Sequence, residues 1–190
     1  ARVGSQSCAD EELVLRNRHD DIIARCSLWW RNVPTYPNHR LGLIGRYKTE
    51  ETTPDEVATQ LLEQACARLA ANGCTLAVGP MDGNTWKPYR FVTERGNEPP
   101  FFLEPNNPDE WPRHFFANGF APLAEYYSTL TTDLTVRDVR IDATAQRMTS
   151  LGVTLRSLRR TEFTTELARI YAVSARAFQN NFLYTPISQT

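Results

Sequence analysis

A helix signal from Thr53 to Gly73 constrains the fold of this chain more than any other sequence feature. Thr53 suits the N-cap position, Pro54 suits the first helical position, and Glu56 follows where a capping-box acid belongs. Apolar residues at helical spacing predict one buried face: Val57, Leu61, Leu62, Ala65 and Leu69. Asn72 and Gly73 then predict a helix end with a left-handed residue.

Strand-like segments lie on both sides of this helix. Residues 41–47 and 74–79 are short apolar runs, and an aromatic run over 26–31 predicts a further strand before them. Gly42 and Gly45 leave room in the middle run for another backbone or a ligand. Strand, helix and strand with short connections predict two parallel strands, a right-handed crossover and a mixed α/β fold.

The remaining elements have weaker sequence signals. In chain order we expect a short helix over 109–118, a strand over 123–130, a charged connector with helical character over 131–149, a strand over 153–158 and an amphipathic helix over 163–178. The polar and charged residues 1–25 predict an N-terminal arm that holds one short helix.

Composition restricts the function classes. The formal net charge of -1 gives no electrostatic reason to expect a nucleic acid or an anionic membrane as partner. The sequence lacks an apolar run of the roughly 18 residues that span a bilayer, and its first residues lack the pattern of a secretory signal. Four cysteines without CxxC spacing predict reduced thiols in a cytoplasmic protein, and three unpaired histidines give no metal signature.

The segment after residues 74–79 carries the most informative polar cluster. The predicted strand ends in a turn that contains Asp82, Asn84, Trp86 and Tyr89. Loops beyond the carboxyl ends of strands are where open α/β sheets bind ligands. Asp82 and Asn84 either orient a substrate amine, with Asp82 as general base, or simply supply the residues that a tight turn requires.

Three further side chains have two interpretations each. The hydroxyl of Tyr89 serves as an acid or packs in the core. Glu104, which follows two phenylalanines and a leucine, acts as a base with a raised pKa or lies on the surface. Arg90 binds an anionic ligand group or pairs with a neighbouring glutamate.

The order of these segments resembles the GNAT superfamily of acyl-CoA-dependent N-acyltransferases. The supporting motifs are LGLIGRY at 41–47, the helix at 54–73, CTLAVGPMDGN at 74–84 and HFFANGF at 114–120. The resemblance covers about residues 26–130, and residues 153–178 are similar to the first strand and helix of a second such unit. It implies an N-terminal arm (1–25), a GNAT-like domain (26–135), a connector (136–152) and the start of a second unit (153–190).

The same resemblance implies a splayed central sheet with acetyl-CoA or another acyl-CoA between two strands. The residues that would line the pantetheine are Leu43, Ile44, Gly45, Arg46 and Tyr47. Asn84 matches a family asparagine near the cofactor thiol. The implied partners are a small-molecule or peptide amine as acceptor, and a second GNAT-like unit or a second copy as packing partner.

Two functions follow. In the first, an amine attacks the thioester directly, a strand amide polarises the carbonyl, and Asp82, Tyr89 or Glu104 transfers protons. In the alternative, this half is a non-catalytic GNAT-like module that binds a ligand or supports a second catalytic unit. The alternative depends on two observations: residues 48–56 are acidic and lack glycine where a phosphate loop belongs, and Phe115 replaces the family's frequent acid tyrosine.

Overall fold

The computed structural model describes residues 8–51, 53–133, 135, 138 and 140–186. The chain divides into two compact units. The larger unit consists of residues 1–123 with 175–190, and the smaller unit consists of residues 124–174. Within the described residues, no helix combines the length and the apolar character needed to cross a bilayer.

The larger unit is built on a four-stranded mixed sheet flanked by helices. Its strands are β1 (Glu11–Arg16), β2 (Ile22–Trp29), β3 (Leu41–Thr49) and β4 (Leu76–Val78), and they lie in sequence order. The β1–β2 and β2–β3 pairs are antiparallel, whereas β3 and β4 are parallel. The predicted parallel pair is confirmed, and the fold is mixed α/β.

Strand β1 corrects the expectation for the N-terminal residues. A short helix was predicted within residues 1–25, but residues 11–16 form an edge strand whose side chains alternate between half-buried and exposed. The side chain of Asn17 closes the hairpin, because its Oδ1 accepts hydrogen bonds from the amides of His19 and Asp21. Three charged and three apolar side chains in six residues are a weak strand signal, and pairing with β2 decides the outcome.

Helix α1 (Asp55–Ala71) crosses from β3 to β4 and buries the predicted apolar face. Its predicted capping box is wrong, because Pro54 is the N-cap and the Thr53 hydroxyl donates to the Ile23 carbonyl at 3.0 Å instead. The predicted helix end is confirmed: Gly73 follows the helix with φ of +80°. The Thr53 hydroxyl therefore ties the start of the helix to the sheet.

The remaining helices agree with the sequence better than the remaining strands. Helix α2 (Glu110–Ala117) and helix α4 (Phe163–Ala177) fall within the segments where helical character was expected, and helix α3 (Arg140–Ser150) extends one residue beyond its segment. The strands predicted over 123–130 and 153–158 are wrong, since both segments are irregular. Side chains such as Leu155 stand 87% exposed, so these segments have no apolar face to bury as strands.

Two buried clusters divide the core of the larger unit. The first cluster lies between the sheet, α1 and α2, and contains Ala24, Cys26, Leu28, Ile44, Tyr47, Leu61, Leu62, Ala65, Leu69 and Phe115. The second cluster contains Trp29, Leu41, Leu43, Val78, Met81 and Leu183. Neighbouring residues of β3 such as Leu43 and Ile44 fall in different clusters, as expected for a strand with two covered faces.

Candidate functional site

A β-bulge interrupts β3 where the cofactor-binding residues were predicted. Gly45 pairs with Ser27 and Lys48 pairs with Arg25, so β3 has one more residue than β2 across this interval. Arg46 lies inside the interval with φ of +47°, a left-handed conformation that is uncommon for arginine. The Arg46 amide lies on the same side of β3 as the Ile44 carbonyl and faces the chain that follows β4, where its partner lies.

Residues Met81 and Asp82 supply that partner. The Met81 amide donates to the Ile44 carbonyl at 2.9 Å, and the Arg46 amide donates to Asp82 Oδ1 at 2.6 Å. A Cβ built on Gly45 would lie 2.3 Å from the Met81 carbonyl oxygen. The chain after β4 therefore continues along β3 and uses the backbone groups that face it.

The turn from Met81 to Pro88 is held largely by its own backbone. The Asp82 amide donates to the Pro88 carbonyl at 2.9 Å, and the Gly83 amide donates to the Met81 carbonyl at 2.9 Å. Asn84 Oδ1 accepts from the Trp86 amide at 3.0 Å, as in an Asx turn. The side chain of Asn84 thus serves the turn, and that of Asp82 joins the turn to the bulge.

The Arg46 side chain has partners other than the turn that binds its amide. Its guanidinium carbon stands 5.5 Å from the centre of the Trp29 ring, and its Nη1 lies 3.4 Å from Glu12 Oε1. Together with Cys8, Ala9, Asp10, Glu11 and Glu12 it lines an open cavity of about 310 Å³. Asp10 accepts hydrogen bonds from the amides of Trp30 and Arg31, which lower its pKa although burial acts to raise it.

The three predicted catalytic residues lie in two different segments. Asp82 and Tyr89 belong to the turn after β4, where the Tyr89 hydroxyl accepts a hydrogen bond from Arg90 Nη1 at 2.6 Å. Glu104 lies in a separate turn, and its Oε2 accepts from the Phe101 amide at 3.2 Å. The structure therefore joins Asp82 to the predicted cofactor residues and places Glu104 as a turn-closing carboxylate.

Most of the predicted pantetheine residues have buried side chains. Leu43 and Ile44 are fully buried, and Tyr47 is 4% exposed. The Tyr47 hydroxyl lies 2.9 Å from His114 Nδ1, and His114 Nε2 lies 3.4 Å from the exposed carboxylate of Asp55. Burial, with smaller contributions from Cys26 and Asp55, raises the pKa of Tyr47 above its ordinary value. Tyr47 is therefore a neutral hydrogen-bonding group inside the first cluster.

Phe115 contributes to the core. Its ring packs edge-on against Tyr47, Phe91 and Phe120, with centroid distances of 5.1, 5.2 and 4.9 Å. A Cβ on Gly79 would lie 2.7 Å from Phe115 Cε1, so the glycine lets the ring approach the end of β4. A phenol in this position would place a polar oxygen among apolar groups.

Asn107 is a structural residue that the sequence does not single out. Asn107 is 8% exposed, and its amide group pairs with both backbone groups of Val92: its Oδ1 accepts from the amide at 2.7 Å and its Nδ2 donates to the carbonyl at 3.2 Å. These bonds close the base of the loop from Val92 to Asn107. At the loop's tip, Phe102 and Leu103 are 87% and 84% exposed. In the sequence Asn107 lies between Asn106 and Pro108, and this context does not distinguish a buried asparagine from one in an exposed loop.

The cysteines and the metal-ligand residues add no further site to this region. Burial, and to a smaller extent the Cys66 thiol, raises the pKa of Cys26 to about 12, so the Cys26 thiol stays protonated. Among the described residues, no group of three or more His, Cys, Asp or Glu side chains is arranged to hold a metal ion.

Comparison with protein-family models, curated proteins and solved structures gives no match for this chain. The resemblance to the GNAT superfamily stays a prediction.

Proposed function

We propose that the larger unit is a non-catalytic GNAT-like module, which binds a ligand or supports a second catalytic unit and leaves acyl-CoA chemistry to that unit. One observation carries the proposal: the Asp82 carboxylate accepts the Arg46 amide at 2.6 Å. In the acyltransferase mechanism this strand must offer a free amide to polarise the acyl carbonyl. Here the amide already has an anionic acceptor, and bonds to charged acceptors are the stronger kind.

The packing around Gly45 supports the same proposal. The Ile44 carbonyl accepts from the Met81 amide, so both backbone groups that a pantetheine would bind are in use. The Met81 carbonyl covers Gly45 so closely that a single added carbon would overlap it. An extended cofactor arm has a larger cross-section than one carbon and would have to displace the whole turn.

The charges at the start of α1 also support it. A pyrophosphate would approach the helix N-terminus, where backbone amides and the helix dipole favour anions. Asp55 and Glu56 occupy the first turn of α1, and Glu50 and Glu51 precede it. Lys48, the single cation of residues 48–56, lies 3.8 Å from Glu50 Oε1. Four carboxylates in this segment repel a pyrophosphate rather than bind it.

Calorimetric titration of the chain with CoA and acetyl-CoA tests the proposal. We expect no heat of binding at micromolar to millimolar ligand. The Asp82→Ala variant, which frees the Arg46 amide, is titrated alongside it, and Asp20→Ala on the exposed hairpin turn is the matched control. Micromolar binding by the unmodified chain would contradict the proposal.

The acyltransferase remains the second candidate, favoured by the polar turn at the carboxyl end of β4. The Asp82 amide bonds to the Pro88 carbonyl, next along the chain to the hydrogen-bonded pair Tyr89 and Arg90, and β3 and β4 are parallel. In that case the chain would release free CoA thiol from acetyl-CoA in the presence of an amine. Asp82→Ala would then reduce the rate of thiol release, whereas Asp20→Ala would leave it unchanged.

A further inference from the structure

The segment Phe178–Pro186, here called the strap, returns from α4 to the second cluster of the larger unit. Leu183 is its buried residue, at 7% exposure, and belongs to the same cluster as Trp29, Leu43 and Met81. A backbone hydrogen bond from the Tyr184 amide to the Asn181 carbonyl, at 3.0 Å, forms the turn that presents Leu183. The strap therefore enters the core through one side chain.

Aromatic contacts hold the strap on both sides of Leu183. Trp86 packs edge-on against Phe178 and Tyr184, with ring centroids 6.1 and 6.2 Å apart, and Tyr36 packs in the same way against Phe182 at 6.0 Å. Trp86 Nε1 also donates to the Thr185 carbonyl at 2.7 Å. These contacts define a groove lined by the second cluster and rimmed by Tyr36 and Trp86.

Three features show that the strap occupies this groove at a cost. Leu183 has φ of +53°, a strained conformation for a residue with a branched side chain. The Thr185 hydroxyl oxygen is buried, and among the described residues it has no hydrogen-bond partner. Phe178 and Phe182 are 42% and 43% exposed, so their contacts are incomplete. Segments held by few buried contacts open locally before the domain unfolds.

The strap also bears on the turn that covers Gly45. Met81 shares the buried cluster with Leu183, and Trp86 holds the Thr185 carbonyl, so the turn contacts the strap near both of its ends. The same turn supplies the carboxylate that accepts the Arg46 amide. Release of the strap would therefore loosen the turn at Met81–Asp82 and weaken the hydrogen bond from the Arg46 amide to Asp82.

We propose that the groove is a docking site for an extended segment that presents a leucine between aromatic residues, and that the strap is its detachable occupant in the same chain. A peptide of that chemistry in trans competes for the groove. When the groove is empty, the turn at Met81–Asp82 relaxes and the Arg46 amide becomes exchangeable. This goes beyond the proposed function, because it concerns a groove lined by the second cluster and requires no acyl-CoA.

The test uses the Leu183→Asp variant of the full chain and a synthetic peptide of residues 178–186. Hydrogen exchange of the Arg46 amide and the emission maximum of tryptophan are measured with and without the peptide. Leu103→Asp, at an exposed apolar position, is the matched protein control, and a peptide with aspartate at the leucine position is the ligand control. We expect Leu183→Asp to raise Arg46 exchange by about tenfold or more, and the unmodified peptide alone to restore protection.

Each other outcome overturns the proposal. If folded Leu183→Asp keeps slow Arg46 exchange, the strap does not hold the turn. If exchange rises but the peptide neither binds nor restores protection, the groove is not a docking site. Should Leu183→Asp fail to fold, Leu183→Ala weakens the strap and leaves the groove unchanged, so excess peptide must displace the strap of this variant more readily than that of the unmodified chain. Equal displacement in these two proteins rejects the proposal.

Discussion

Replacing Gly45 by alanine tests whether the Met81–Asp82 turn is packed rigidly on the bulge. The added Cβ would lie 2.3 Å from the Met81 carbonyl oxygen and 2.7 Å from the Met81 carbonyl carbon. Neither atom is the end of a flexible side chain, so relief requires the backbone of the turn to move. That movement also draws Asp82 Oδ1, which would lie 2.5 Å from the new methyl, away from the Arg46 amide.

The expected cost follows from these two effects. Overpacking a tight site costs about 1–3 kcal/mol, and a lost hydrogen bond to a charged group costs about 1.5–3 kcal/mol. Against them stands a gain of about 0.4–1 kcal/mol, because alanine restricts the unfolded chain more than glycine does. We therefore expect Gly45→Ala to lower the free energy of unfolding by about 3 kcal/mol.

Gly42→Ala is the matched control on the same strand. Its Cβ would meet the ends of two side chains, Leu69 at 2.7 Å and Cys74 at 2.9 Å, which can rotate away. We expect a net cost of about 1 kcal/mol or less.

Urea unfolding followed by tryptophan fluorescence measures both variants. All four tryptophans (Trp29, Trp30, Trp86 and Trp111) lie in the larger unit, so the signal reports on that unit. Equal costs for Gly45→Ala and Gly42→Ala, or a stabilised Gly45→Ala, would refute the rigid packing of the turn.

Three further predictions concern groups outside the bulge. Asn107→Ala removes both bonds to Val92 and should cost about 1–3 kcal/mol while the loop's tip becomes sensitive to protease; an equally resistant loop would count against this role. Tyr47→Phe should cost about 1 kcal/mol at neutral pH. Because burial raises the pKa of Tyr47, the stability that its hydroxyl contributes is complete below the ordinary phenol pKa and is lost at higher pH. The free energy of unfolding of Tyr47→Phe, measured by urea titration, should therefore depend less on pH in the alkaline range than that of the unmodified chain. In the smaller unit, Arg156 and then Arg169 lower the pKa of Glu166 to about 2. The stability that the ionised Glu166 contributes is therefore complete above pH 4.5 and is lost as pH falls toward 2. Circular dichroism melts of the unmodified chain should show that acid dependence, and melts of Glu166→Gln should lack it.

The sequence predicted the fold where a local signal and the final packing agree. Residues 53–73 carry both a helical repeat and a left-handed glycine at the end, and the helix forms there. Residues 41–47 and 74–79 are apolar on both faces, which suits strands that are covered on both sides. For these elements, the contacts with neighbouring segments add little to what the local sequence predicts.

The sequence was wrong where a partner decides the structure. Residues 11–16 become a strand because they pair with β2, although only three of the six are apolar. Residues 123–130 and 153–158 have strand-like composition, yet neither segment pairs with a described strand, and they stay irregular. Strand formation depends on pairing and burial more than on intrinsic preference.

The candidate site shows the same limit at the level of single side chains. Asp82 stands out in the sequence as a polar residue that follows a buried strand, but its partner, the Arg46 amide, lies 36 residues earlier in the chain. The Ile44 carbonyl and the Arg46 amide lie on the same side of β3, because every second residue of a strand presents its backbone groups to the same neighbour. The Met81 amide takes the first group and the Asp82 carboxylate takes the second. The choice between a catalytic carboxylate and a structural one therefore depends on how far the chain after β4 follows β3. Residues 74–89 alone do not encode that path, so the proposed function depends on the fold.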